Sequence, residues 1–218
     1  MKLLSLFLAS CFPLVQAADK PTPQKPNIVI ILADDMGYGE VQALNPKKGK
    51  IKTPALDAVA KEGMTFTDAH SGSSVCTPTR YGLLTGRYAW RTRLQNGVLK
   101  GGNSLIAKET LTLADMLKSQ GYDSVMIGKW HLGMKFDGVQ NDKKGAVKPG
   151  AKVTHGPLDF GGFDEFYGFH YARQMDLWVE NDKVTQNIKA VDMLPKLTET
   201  AAEYIKKRKG NEKAFLMY

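Results

Sequence analysis

Three short apolar runs constrain the fold more than any other feature of this 218-residue sequence. They lie at 27–33, 122–128 and 214–218, and each is too short for an ordinary helix. Runs of this kind are the mark of strands covered on both faces, as in a sheet sandwiched between helix layers. The segments between them carry helical spacing. Residues 54–62 place Leu56, Val59 and Ala60 on one face before Gly63, and residues 112–120 place Leu113, Met116 and Leu117 on one face before Gly121. Residues 196–208 turn Leu197, Ala201, Tyr204 and Ile205 inward. A hairpin is expected over 177–184 around Asn181-Asp182. The expected class is α/β.

The start of the chain reads differently. Lys2 precedes an apolar run to Val15, and Val15-Gln16-Ala17 suits cleavage, so 1–17 reads as a secretory signal. The run falls short of the roughly 20 residues a membrane span needs. Leu8-Ala9-Ser10-Cys11 also looks like a lipoprotein box, which makes anchoring through Cys11 a minor alternative to release. Residues 18–26 are polar and proline-rich, a linker. The expected location is secreted or periplasmic. Of the two cysteines, the mature chain keeps only Cys76, which excludes an internal disulfide. The net charge of +8 suits an anionic substrate. The scattered lysines, without an aromatic-basic ladder, speak against nucleic acid.

Chemistry-bearing residues gather at the ends of these elements. Asp34 and Asp35 end the first run, where ligands bind in open α/β sheets. Adjacent carboxylates repel unless a cation offsets them, and a solvated pair before the Gly37-Tyr38-Gly39 turn is an equal alternative. An extended stretch over 64–69 leads through a Ser/Gly loop to Cys76-Thr77-Pro78-Thr79-Arg80. Pro78 suits a first helical position with Thr77 as N-cap. Cys76 would then sit at a helix N-terminus, which favours an anion, and Arg80 would point back toward it. After the second run, an extended Lys129-Trp130-His131 would project Lys129 and His131 to one side, where they would make an oxyanion clamp and a proton donor, although a surface lysine beside a structural histidine is the plainer reading. Residues 100–108 read as a turn-rich connection and 136–154 as a glycine- and lysine-rich surface loop around 141–145. His155, His170, Arg173 and Asp176 read as ordinary loop polar groups rather than the border of a substrate pocket.

Taken together, C-T-P-T-R followed by L-L-T-G-R, the D-D-M-G-Y-G strand end, G-K-W-H-L-G and G-F-D-E-F-Y-G resemble the sulfatase family, within the alkaline phosphatase superfamily. The resemblance runs from Asn27 to Tyr218 in unbroken motif order. It implies an alkaline-phosphatase-like fold, a mixed and mainly parallel sheet flanked by helices, with 27–218 the N-terminal part of the catalytic domain. It also implies a sulfuric ester hydrolase in which Cys76 is converted by a formylglycine-generating enzyme to formylglycine, the nucleophile. Asp34, Asp35 and modified Cys76 would hold calcium, Arg80 and Lys129 would stabilise charge, and His131 would contact the formylglycine. G-F-D-E-F-Y-G is expected to be mainly structural. The substrate is expected to be a sulfate ester, better a sulfated carbohydrate than a small aryl sulfate. Phosphonate or phosphodiester hydrolysis and a non-catalytic remnant are the alternatives. The family normally continues past this last strand with further histidine, lysine and calcium ligands. The sequence therefore reads as incomplete at its C-terminus and inactive alone.

Overall fold

The computed structural model describes residues 24–139 and 147–218. The leader, Cys11, the first part of the linker and the 141–145 stretch lie outside the described residues. The centre is a six-stranded sheet ordered β1-β8-β2-β5-β6-β7, comprising β1 (Ile28–Val29), β2 (Asp123–Lys129), β5 (Glu165–Phe169), β6 (Leu177–Glu180), β7 (Lys183–Asn187) and β8 (Phe215–Met217). β1, β8, β2 and β5 run parallel, while β5, β6 and β7 pair antiparallel. The mixed, mainly parallel sheet is thus as expected. β3 (Lys135–Phe136) and β4 (Val153–His155) form a separate antiparallel pair, so strand residues stand at both ends of the 136–154 segment expected to be a surface loop.

The strand period of two sorts the core into layers. Val125, Phe215 and Met217 pack with Tyr204 of α4 (Met193–Lys207) on one face. Met126, Leu216 and Phe166 face the other, with Tyr81 and Leu84 of α2 (Cys76–Thr85) and Ala114 and Leu117 of α3 (Leu113–Ser119). α3 starts where expected because Thr112 and Asp115 cap it reciprocally, each side chain accepting the other's backbone N–H at 3.1 Å. α2 stops at Gly86, whose φ of +66° is a left-handed C-cap. The hairpin turns at Asn181, φ +54°, as its Asn-Asp sequence requires. G-F-D-E-F-Y-G is structural: Asp164 accepts from the Ser124 N–H at 2.9 Å and hydroxyl at 3.0 Å, locking β5 to β2.

Several expectations fail, most of them for one reason. The first run forms only the edge strand β1, with Val29 47% and Ile31 87% exposed rather than buried on both faces. α1 (Pro54–Glu62) has the expected ends, but Leu56 and Val59 face solvent. Met116 and Ile205 are also exposed, and no strand forms over 64–69. An apolar pattern reports a surface that gains from cover. It does not report whether a neighbour supplies it, and among the described residues none does for Leu56 and Val59 of α1 or for the Val29–Ile31 face of β1, whereas Ile28 and Ile30 pack against the core. Pro78 lies two residues inside α2, because the helix already begins at Cys76 and Val75 is its N-cap. Thr77 is therefore not the cap.

Candidate active site

The carboxyl ends of β1 and β2 and the N-terminus of α2 meet at one place. Parallel pairing through β8 brings the two strand ends to the same edge, and α2 packs over that edge through Leu84 and Tyr81. Lys129, the last residue of β2, is buried. Its ammonium donates to the Asp34 carboxylate at 2.6 Å and to Cys76 Sγ at 3.2 Å. Arg80 is buried one turn along α2 from Cys76. Its Nη1 donates to the Lys129 carbonyl at 2.6 Å, Nη2 lies 3.7 Å from Asp34, and Nε has no protein partner. The guanidinium is thus fastened to the end of β2 rather than free to fork around an oxyanion. Burial works against the charge on Asp34. The hydrogen bond and charge of Lys129, the charge of Arg80 and the Cys76 contact outweigh it and hold the carboxyl below its usual range.

His131 arrives by a route that alternation does not foresee. Its φ of +53° breaks the extended chain after Lys129. Trp130 turns into the core, its indole donating to the Gly133 carbonyl at 2.7 Å. The His131 N–H donates to the His170 carbonyl at 2.7 Å, and its own carbonyl accepts the Thr77 hydroxyl at 3.0 Å. The imidazole stacks on Tyr171 with centroids 5.7 Å apart, and Nδ1 is buried without a partner. Burial first, then the Lys129 charge, pushes its pKa down to about 4. His131 is therefore neutral at neutral pH. His170 is buried beside it, edge-on to Tyr171 at 4.7 Å, with Nδ1 3.3 Å from Gln174 Oε1; burial lowers its pKa to about 3.

Asp34, Cys76, Arg80 and Lys129 are in direct contact, and His131 joins them through Thr77. Asp35, at φ +60°, is exposed and makes no hydrogen bond or ion pair among the described residues. Of the four loop residues, only His170 reaches the site. His155 pairs instead with Asp159 at 3.3 Å on the β3–β4 side. The sequence reading missed the Thr77 hydroxyl, Tyr171 and Tyr218. The Tyr218 hydroxyl is buried beside Arg80; burial raises its pKa, and the charge and hydrogen bonding of Arg80 oppose this. As a test for a bound cation, the acidic donors fit calcium in kind, being hard oxygens. They do not complete a shell: among the described residues no three His, Cys, Asp or Glu side chains converge.

The two histidines give the fold a pH dependence of known sign. Both bind a proton more weakly folded than unfolded, so the unfolded chain takes up protons first as pH falls below about 6.5. Stability should hold above that pH and fall toward pH 3–4, with a limiting slope of about 2.7 kcal/mol per pH unit for two protons. Urea midpoints at pH 7.5 and 5.0 measure it, and replacing His170 by Gln should reduce the difference.

A mainly parallel α/β sheet with a sulfur, two cations and a carboxylate at the carboxyl ends of its strands defines an anion-handling α/β protein. The sulfatase family model matches residues 26–218. The chain is 40% identical over 182 residues to an N-acetylgalactosamine-6-O-sulfatase of Bacteroides thetaiotaomicron, covering 81% of this chain and 33% of that protein. It is 40% identical over 172 residues to Homo sapiens arylsulfatase G, covering 78% and 29%. A solved Bacteroides thetaiotaomicron structure from work on glycosaminoglycan metabolism superposes with a TM-score of 0.73 at 26% identity, covering 89% of this chain and 50% of that one. The chain belongs to the sulfatase family. It spans about a third of the length of the curated relatives it matches.

Proposed function

We propose that the protein is a sulfuric ester hydrolase acting on a sulfated carbohydrate, with residue 76 as its nucleophile after conversion to formylglycine by a partner enzyme. The observation that carries this is the contact of the Lys129 ammonium with both Cys76 Sγ and the Asp34 carboxylate, 3.2 and 2.6 Å away. The sulfur marks where the modified side chain would stand. Once converted and hydrated, residue 76 would supply one hydroxyl to attack sulfur and a second to expel sulfate. Asp34 and Asp35 are two of the oxygen ligands we assign to a calcium ion, which would supply Lewis-acid charge at the same place.

The chain's own residues do the rest. Lys129 and Arg80 place positive charge where anionic oxygens gather, in a partly buried setting that strengthens the interaction. Arg80 also fixes the end of β2, so the two cations keep a constant spacing. Neutral His131 takes or returns a proton at residue 76 or the leaving oxygen. The choice of a carbohydrate ester rests on relatives whose names specify N-acetylgalactosamine and glycosaminoglycans. We also propose export, on the reading of 1–17; no described helix is long and apolar enough to cross a membrane. The described residues supply only part of a calcium shell, and we expect no turnover from them alone.

The test uses the whole protein with residue 76 modified, on sulfate and phosphate monoesters of one alcohol and on a sulfated disaccharide. Preference for sulfate supports the reading; preference for phosphate would replace it with phosphoester hydrolysis. Exchanging Asp35 for Asn should weaken calcium binding about tenfold or more and lower turnover with it. Full activity after chelation would leave the two aspartates a structural role only.

A further inference from the structure

We infer that Thr77 is a positioning residue that fixes His131 relative to the nucleophile's helix. This rests on the reading that residue 76 and His131 serve one reaction. Thr77 follows Cys76 directly and its side chain is fully buried. Its single hydroxyl proton goes to the His131 carbonyl at 3.0 Å, and its oxygen accepts the Leu99 N–H at 3.1 Å. A threonine hydroxyl has one proton to donate, so the direction of both bonds is determined.

What this bond holds is unusual. His131 is one of three described non-glycine residues with positive φ. A left-handed histidine persists only where its surroundings over-determine it. Here its N–H is tied to the His170 carbonyl, its carbonyl to Thr77, and its ring to Tyr171. Only Thr77 of these three belongs to the helix that carries residue 76. Remove its hydroxyl, and the buried His131 carbonyl and Leu99 N–H lose their partner together. His131 then keeps its ties to His170 and Tyr171 but loses its bond to the helix of residue 76, while Lys129 and Arg80, held by Asp34 and each other, stay in place. Because those cations bind the anionic ester, the loss falls on turnover rather than on binding.

The experiment compares Thr77→Val, which keeps the shape, with Thr77→Ser, which keeps the hydroxyl, in the whole protein with the modification of residue 76 matched by mass spectrometry. Thr77→Val should lower kcat about 30-fold or more with KM within about twofold, and the serine variant should stay within about threefold of the parent. In parallel, the ring resonances of His131 should shift and broaden in the valine variant and return in the serine variant. Parent-like kcat and unmoved resonances in Thr77→Val would overturn the assignment. If that variant does not fold, the parent decides: a Thr77 hydroxyl proton protected from solvent exchange supports the clamp, and a freely exchanging one removes it. A parent inactive on every sulfate ester would overturn the reading of the reaction, while the resonances would still report on the clamp.

Discussion

Replacing Cys76 by alanine is expected to lower sulfate-ester cleavage by about four orders of magnitude or more while leaving the fold intact. The argument for an intact fold is local. Cys76 is the first residue of α2, half-buried, and its sulfur contacts the Lys129 ammonium at 3.2 Å. Without it Lys129 keeps its 2.6 Å bond to Asp34, so no buried charge is left unpaired. Alanine also suits a helix. The circular dichroism spectrum and urea midpoint should therefore match the parent, and only kcat/KM should collapse. In parent protein made with the modifying partner, the peptide containing residue 76 should be about 18 Da lighter than its cysteine form, as thiol-to-aldehyde conversion of an activated nucleophile requires. Wild-type turnover in the alanine variant would take residue 76 out of the mechanism.

Exchanging Gly168 for alanine should be the most damaging small change in the sheet, costing about 3 kcal/mol or more. Gly168 in β5 lies opposite Gly128 in β2, and both have positive φ. A Cβ on Gly168 would stand 2.0 Å from the Gly128 carbonyl oxygen and 2.8 Å from its carbon. Those are backbone atoms of a central strand, which cannot swing aside as a side chain would. Relief requires the two strands to part just before Lys129. Stability and site geometry should fail together. Gly128→Ala is the control: its Cβ would meet nothing within 4 Å, so only backbone strain applies, about 1–2 kcal/mol. Equal urea midpoints for the two variants would refute the steric account.

That the candidate residues would gather was more legible in the sequence than the order of the strands. Cys76 opens α2, Arg80 lies one turn into it, Lys129 ends β2 and Asp34 follows the first apolar run; these local patterns are strong, and parallel strands deliver their carboxyl ends to one edge. α3 and the hairpin expected over 177–184 were readable because capping and turn chemistry act over a few residues, while the second strand runs on to Asn187. Strand order is another matter. Nothing local in 27–33 distinguishes an edge strand from a central one, and nothing in 54–62 says that the apolar stripe of α1 lacks a cover. The roles of Thr77 and Tyr171 were out of reach for the same reason: each depends on a contact with His131, and Thr77 meets it across 54 residues. A threonine after a cysteine looks like a cap until the residue it actually bonds is known.

The position of β8 has a consequence for how the protein comes into being. Ile28 pairs with Leu216, and the Asn27 side chain reaches Phe215 across 188 residues. β8 is the strand that joins β1 to β2, so the ribosome delivers the keystone of the parallel sheet well after the strand on its far side. At ordinary elongation rates that gap is roughly 10–40 s. Throughout it, the first strand and its aspartates wait without a pairing partner, while the locally wired β6–β7 hairpin forms within microseconds of emerging. Nascent chains should therefore need protection from aggregation over this interval, and the site, whose carboxylate enters through β1, should take shape after the β6–β7 hairpin and not before β8 has emerged.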